Sequence, residues 1–306
     1  MSNKYELFVN DNDIGIRIDK YISNYLDKHT RSQIQKMIKD GFIYVNNKNI
    51  KANYKVRAND YIVINIQPPE VVDIKPEDIP IDVIYEDDDL IIINKAKGVV
   101  VHPASGHNSR TLVNGLLYHY KNQLSKINGD MRPGIVHRLD KNTTGVIIVC
   151  KNDKSHESIA RQLKEKTVTR KYNAIVYNAF SQEQGIIEAP IGRHPVNRKK
   201  MAINYDNGKD AITHYKVIEN LNHNFSYVEC KLETGRTHQI RVHMSSISHP
   251  ILGDDIYGPS KSRFKLEGQV LHARIIGFEH PSSKKYMEFE ATLPDYFIKL
   301  INKLSK

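Results

Sequence analysis

The sequence predicts an α+β fold in two parts: a small α/β unit near the N-terminus and a larger domain on a mixed, mainly antiparallel β-sheet. Three observations predict it. Beyond residue 81, strand-like runs greatly outnumber helical ones and mostly follow one another directly, whereas a doubly wound sheet would need a helix between each pair. Residues 14–66 carry helix-periodic and strand-like pieces of their own. Between these lies QPPEVVDIKPEDIP, residues 67–80, with four prolines and several acidic residues against one lysine, the composition of a stiff, extended linker. The predicted division is therefore 14–66, 67–80 and 81–306.

In the first unit, Asp19 can cap a helix whose apolar residues Tyr21, Ile22, Tyr25 and Leu26 recur at helical spacing. A second helix takes Thr30 or Ser32 as its cap, Ile34, Met37 and Ile38 as its stripe, and Gly41 as its stop. FIYVN, a turn at Asn46-Asn47, and YIVINI after an Asn59-Asp60 turn read as strands. In the larger domain the strands are IDVIYE, LIIIN, GVIIVC, KYNAIVY, THYKVIE, YVECKLE, VLHARIIGF and YMEFEATL, with helices at 110–120, 153–166, 237–247 and 294–304.

Forty-five Lys and Arg against 35 Asp and Glu leave a formal charge of +10. Residues 14–66 hold ten of these cations and four of the acids, so six of the ten surplus charges sit in about a sixth of the chain. Arg17, Lys20, Arg31, Lys36 and Lys39 fall on or beside the two helices, as a phosphate-tracking face requires; a solvated helical face would look the same. No run approaches the roughly 18 apolar residues of a membrane span, and MSNKYELFVN lacks the apolar core of a signal peptide, so a cytoplasmic protein is expected, and a monomer by default. Cys150 and Cys230 sit in apolar runs and read as buried thiols.

Three segments concentrate chemistry. GIVHRLDKNTTGVIIVCKN, residues 134–152, places His137, Arg138, Asp140 and Thr143 in a polar turn between apolar strands. There Asp140 could be a turn cap or a catalytic carboxylate. LETGRTHQIRVHMSSISHPILGDDIYG, residues 232–258, puts Arg236 at a helix start, where its guanidinium can pair with a carboxylate from elsewhere. His238, His243 and His249 lack an HExxH, a cysteine or a nearby acid, so no metal site is expected. In RKYNAIVY, residues 170–177, Tyr172 and Lys171 face opposite sides of a strand; alone, this tyrosine reads as core.

Taken together, HRLD with TTGVIIVCK, RKYNAIV, TGRTHQIRVHM and HPILGDDIYG resemble, in order, the RluA-type pseudouridine synthases. DLIIINKAKGVVVHPASG at 89–106 resembles that family's first motif and VLHARIIGFEHP at 270–281 its last. The N-terminal unit resembles the S-four-type RNA-binding module that many members carry, so the likeness spans about 14–304. It implies that Asp140 is the nucleophile, Arg236 its salt-bridge partner, Tyr172 the ring against the target uracil and Leu271 the aliphatic floor. By the same likeness His137, Arg138, Leu139, Thr143, Lys171, His238 and Arg241 contact the substrate. The reaction isomerises uridine, importing and oxidising nothing, so neither cofactor nor metal is expected. The implied partner is RNA: large-subunit (23S) ribosomal RNA first, transfer RNA second. Two rival readings are a ribosome-assembly protein that has lost activity and a glycosidic hydrolase with Asp254 or Asp255 as a second acid.

Overall fold

The computed structural model describes residues 3–26, 29–66, 74–103, 107–197, 200–222, 224–259 and 264–306. The chain divides into two compact units, Met1–Asp73 and Ile74–Lys306.

The first unit starts earlier than the sequence suggested. Strand β1 (Asn3–Phe8) joins β2 (Ile43–Val45), β3 (Lys48–Asn49) and β4 (Tyr61–Ile66) in an antiparallel sheet of order β1-β4-β2-β3. Helices α1 (Ile18–Ser23) and α2 (Arg31–Lys39) supply Ile18, Tyr21, Ile22, Ile34 and Ile38, which bury against Ile43, Val45, Ile62 and Ile64. Thr30 and Gln33 form a reciprocal capping box that satisfies the first amides of α2. Gly41, at φ 78°, ends that helix, its amide and that of Phe42 closing on Ile38 O and Met37 O. Asn46 and Asn47, at φ 48° and 59°, make the tight β2–β3 turn.

Asp19 does not cap α1; the cap position belongs to Arg17. Instead the fully buried Asp19 carboxylate accepts from Arg17, Arg31 and Gln35 at 2.5–3.1 Å. Burial alone would raise its pKa, but bonds from Arg17, Gln35 and Arg31 outweigh that and hold it well below the usual carboxylate range. Arg17 and Arg31 are thus tethered at one end, while Lys20, Lys36 and Lys39 are exposed.

Of the predicted linker, residues 67–73 lie outside the described residues, and 74–80 pack onto the larger unit. Ile74 is buried, and the amide side chain of Asn114, in helix α3 (Leu112–Tyr120), donates to Lys75 O. Apolar residues between the prolines give this segment a core to join.

The larger unit is built on β5 (Val83–Glu86), β6 (Leu90–Lys95), β7 (Thr144–Cys150), β8 (Thr169–Tyr177), β9 (Gln184–Glu188), β12 (Ile212–Leu221), β13 (Phe225–Leu232), β14 (Leu271–Glu279) and β15 (Tyr286–Glu290). The order is β5-β6-β7-β14-β8-β13-β12-β9, with β15 also on β14. Every pairing is antiparallel except β7 with β14. A separate hairpin joins β10 (Ile191–Arg193) to β11 (Met201–Ile203). These two strands and β9 escaped the sequence reading, because runs of three to five residues carry too little alternation.

Helices α4 (Asp153–Lys164), α5 (Gln239–Ser246) and α6 (Asp295–Leu304) complete the unit. All seven residues of β7 are buried, so it reads as a continuous apolar run. At Gly145, φ 108°, a Cβ would lie 2.1 Å from Ala273 O, so only glycine lets β7 and β14 run side by side here. Among the described residues no helix is long and apolar enough to cross a membrane.

Candidate active site

Asp140 lies in the turn that leads from the Ile135–Val149 bridge into β7. Its backbone carbonyl accepts from Thr143 N, and Thr143 Oγ1 accepts from Gln269. The next carbonyl, Lys141 O, accepts from Gly98 N and from Lys95 Nζ at 3.2 Å. Lys95 is 1% exposed, and its three ammonium protons match three carbonyls: Ala96 O, Val99 O and Lys141 O. Burial pushes its pKa down to about 7, partly offset by Asp140. This turn is anchored through its backbone, which frees the Asp140 side chain to point elsewhere.

That side chain meets Arg241 rather than Arg236. Arg241 Nη1 donates to Asp140 Oδ2 at 3.0 Å, while its Nε and Nη2 form a fork on Asp254 at 2.7 and 2.8 Å. Asp254 is fully buried and also accepts the amides of Ile256 and Tyr257. Burial acts to lower the Arg241 pKa, but the bonds from Asp254 and Asp140 win and hold it above its ordinary value. It is a permanent cation. Arg236 sits before α5, where Nε donates to Asp210 O and the backbone amide to Gln239 Oε1. The predicted Asp140–Arg236 pair is therefore corrected to Asp140–Arg241. The helix begins at Gln239, so residue 241 falls in its first turn and faces inward, and residue 236 stays outside on the rim.

Around Asp140 two connected spaces open. A narrow pocket of about 60 Å3 is lined by Arg138, Leu139, Asp140, Thr143, Tyr172, Leu232, Arg236, His238, Gln239, Ile240, Arg241 and Leu271. A wider cleft of about 430 Å3 shares Arg138, Asp140, Tyr172, Arg236 and His238 and extends to His102, Arg132, His137, Lys164 and Arg170. The narrow pocket is smaller than the ~150 Å3 that holds one six-membered ring. A ring placed on Asp140 would fill it and reach into the cleft. Tyr172 is 8% exposed, and burial raises its pKa, so it remains a neutral phenol at pH 7.

The cleft is strongly cationic. Arg132, Arg138, Lys164, Arg170 and Arg236 line it, against Asp140 as its one carboxylate among the described lining residues. Arg170 is 7% exposed, its Nη2 holds Glu233 O, and its Nε has no hydrogen-bond partner among the described residues. His137 accepts the Ile148 amide, and burial followed by Arg170 pushes its pKa down to about 3. Burial, then Arg132 and Arg138, brings His102 down to about 4. Both rings are neutral.

Most of the sequence-proposed residues thus converge: His137, Arg138, Leu139, Asp140, Thr143, Tyr172, Arg236, His238, Arg241 and Leu271 all line one space or the other. Lys171 lines neither, because strand alternation turns it to the opposite side of β8 from Tyr172. The three histidines of the second segment also separate. His243 bonds Thr213 and Ala189 O, His249 bonds Tyr177 O and stacks on Phe180, and His238 alone reaches Asp140. Asp254, the candidate second acid of a hydrolase, has both oxygens bound by Arg241, and Asp255 is exposed; neither lines the pocket. Lys95, His102, Arg132 and Arg170 went unread; for Lys95 and Arg170 nothing local distinguishes a buried cation from an exposed one.

The chain is similar to known proteins. The pattern describing RNA pseudouridylate synthases matches residues 89–246, and that of the S4 domain matches residues 16–62. The chain is 47% identical over 304 residues to a Bacillus subtilis protein named "Uncharacterized RNA pseudouridine synthase YlyB", covering 99% of each. It is 42% identical over 291 residues to the "Ribosomal large subunit pseudouridine synthase D" of Zymomonas mobilis, covering 92% of this chain and 91% of that one. Among solved structures, "Human RNA Pseudouridylate Synthase Domain Containing 1" superposes with a TM-score of 0.60 at 26% identity, over 78% of this chain and 90% of that one. The carboxylate, its arginine and the cationic cleft thus belong to a chain of the RNA pseudouridylate synthase family, an RNA-modifying isomerase with an S4 domain in front.

Proposed function

We propose that this enzyme converts uridines of large-subunit ribosomal RNA to pseudouridine, with Asp140 as nucleophile and Arg241 as the cation that aims it. The observation that carries the reading is a single guanidinium holding Oδ2 of Asp140 at 3.0 Å while a buried aspartate fixes its other face. One carboxylate oxygen is immobilised, and the other faces a pocket floored by Leu271 and walled by Tyr172.

The chemistry follows from this arrangement. Isomerisation breaks the bond between the anomeric carbon and N1 of uracil, turns the base, and joins the same carbon to C5. The proton on C5 leaves and N1 gains one, so the formula is unchanged. An ionised carboxylate supplies the covalent step. The phenol of Tyr172 and the side chain of Leu271 would sandwich the base once it has left its stack. Arg138, Arg170 and Arg236 line the cleft and suit the flanking phosphates. In the N-terminal unit, residues 14–66 read as the RNA-gripping part, and 81–306 as the catalytic part. Support for ribosomal RNA comes from relatives named for the large subunit, in Zymomonas mobilis and Pseudomonas aeruginosa.

The test uses 23S ribosomal RNA from cells lacking this gene. Purified enzyme should restore pseudouridine at discrete positions, with RNA length unchanged. Asp140→Asn and Asp140→Ala should abolish turnover while RNA affinity stays within a few-fold. Release of free uracil would mean hydrolysis, and modification confined to transfer RNA would reassign the substrate.

A further inference from the structure

His238 carries the most unusual backbone near the reacting carboxylate. It adopts φ 57°, ψ 20°, the left-handed region, immediately before α5, and its side chain caps nothing. A non-glycine residue is strained there. Such strain persists where the surroundings over-determine a side chain's position. Here it directs the imidazole to the mouth of the narrow pocket, with Nε2 3.8 Å from Oδ1 of Asp140, the oxygen that Arg241 leaves free.

The opposite nitrogen is fixed by a chain of two hydrogen bonds. Tyr257 Oη accepts the backbone N–H of Met201, in β11, at 2.8 Å. The same oxygen lies 2.8 Å from Nδ1 of His238. Tyr257 can accept from Met201 N–H and donate its own hydroxyl proton to Nδ1 of His238. Nδ1 is then a lone pair, and the ring proton sits on Nε2, facing Asp140. Burial favours a neutral ring. Arg241 and Arg138 reinforce that and Asp140 and Asp254 oppose it; the balance lowers the His238 pKa from its ordinary value. At 3.8 Å the Nε2–H group is too far from Oδ1 for a hydrogen bond. An oxygen of a bound nucleoside fits beside both.

Resting on the isomerase reading above, we propose that His238 is a catalytic residue, a neutral imidazole whose Nε2–H hydrogen-bonds an acceptor oxygen of the bound uridine next to Asp140. Tyr257 is the positioning residue that fixes this tautomer. The imidazole gives the substrate a directional donor without adding a charge beside the carboxylate.

The experiment compares single-turnover rates of the full chain on 23S ribosomal RNA from cells lacking the gene. His238→Gln places an amide N–H at the reach of Nε2, whereas the amide of His238→Asn stops one bond short but suits the left-handed backbone better. The donor role predicts that Gln stays within about tenfold of wild type and Asn falls at least 100-fold, with RNA affinity changed less than about threefold. The reverse order, Asn above Gln, would mean that only the backbone conformation matters and would overturn the proposal. Tyr257→Phe keeps the ring and removes both bonds; kcat should drop about tenfold with KM unchanged, and an unaltered kcat would remove the positioning role. Wild-type enzyme that makes no pseudouridine sinks the isomerase reading instead, and Asp140→Asn that still makes it sinks the nucleophile assignment alone. Either outcome is separable from equal rates in the two His238 variants.

Discussion

Arg241 is shared by two carboxylates of different exposure, and its replacement has two separable consequences. Asp254 is fully buried, so Arg241→Met strands a buried charge and should cost about 3–5 kcal/mol of stability, besides reducing kcat at least 100-fold. Arg236→Met removes a rim cation and should leave stability within about 1 kcal/mol while lowering kcat/KM about tenfold. Denaturant titration alongside turnover assays distinguishes the two, and equal effects at both positions would contradict the assignment. Asp140 and Tyr172, which line one pocket, could be singled out because both lie in segments with a recognisable sequence pattern. The arginine was not, because two arginines stand five residues apart in GRTHQIR and a left-handed turn at His238 decides which one enters the site. Lys95 offers a second residue-scale test. Its folded pKa of about 7 lies below the ordinary 10.5, so above pH 7 the unfolded chain binds more protons and this group's contribution to stability rises with pH until about 10.5. Wild type should therefore gain about 2 kcal/mol relative to Lys95→Met between pH 7 and pH 9, read by guanidinium unfolding. A constant difference would mean that Lys95 stays fully charged in the fold.

At the scale of elements, the contact between β7 and β14 sets where the Asp140 turn can sit. Gly145 lies five residues after Asp140, and its φ of 108° and the 2.1 Å approach to Ala273 O leave no room for a methyl group. Gly145→Ala should lower stability by about 3 kcal/mol or more and reduce kcat, because the strands must part and carry Thr143 and the turn with them. A melting temperature like that of wild type would show that the strands can part at no cost. The long strands and helices could be read from the sequence because each has enough residues to show a period. Strands β9–β11 could not, nor could β1, whose NKYELF mixes polar and apolar residues without committing to a face. Residues 74–80 were misread for another reason: proline and acid dominate the composition, while the isoleucines that dock the segment count for little in it.

At the scale of the whole molecule, surplus charge is divided between a cationic cleft in the larger unit and exposed lysines on α1 and α2 of the smaller one. Among the described residues Lys20, Lys36 and Lys39 have no counter-ion of the kind Asp19 gives Arg17 and Arg31. Changing all three to Gln should weaken RNA binding and lower the slope of log K against log salt by about 2–3, with single-turnover kcat preserved. An unchanged slope would place the RNA elsewhere. The sheet carries a longer consequence. Asp140 enters through β7, and Tyr172 lies on β8, yet these strands do not touch; β14, the last strand but one in the chain, lies between them. During synthesis, which runs from the N-terminus, the growing polypeptide holds two half-sheets with no seam, and the Asp140 carboxylate has no wall opposite it. Competence arrives only once residues 271–279 have left the ribosome and slotted home, so an incompletely translated chain cannot act on the RNA around it.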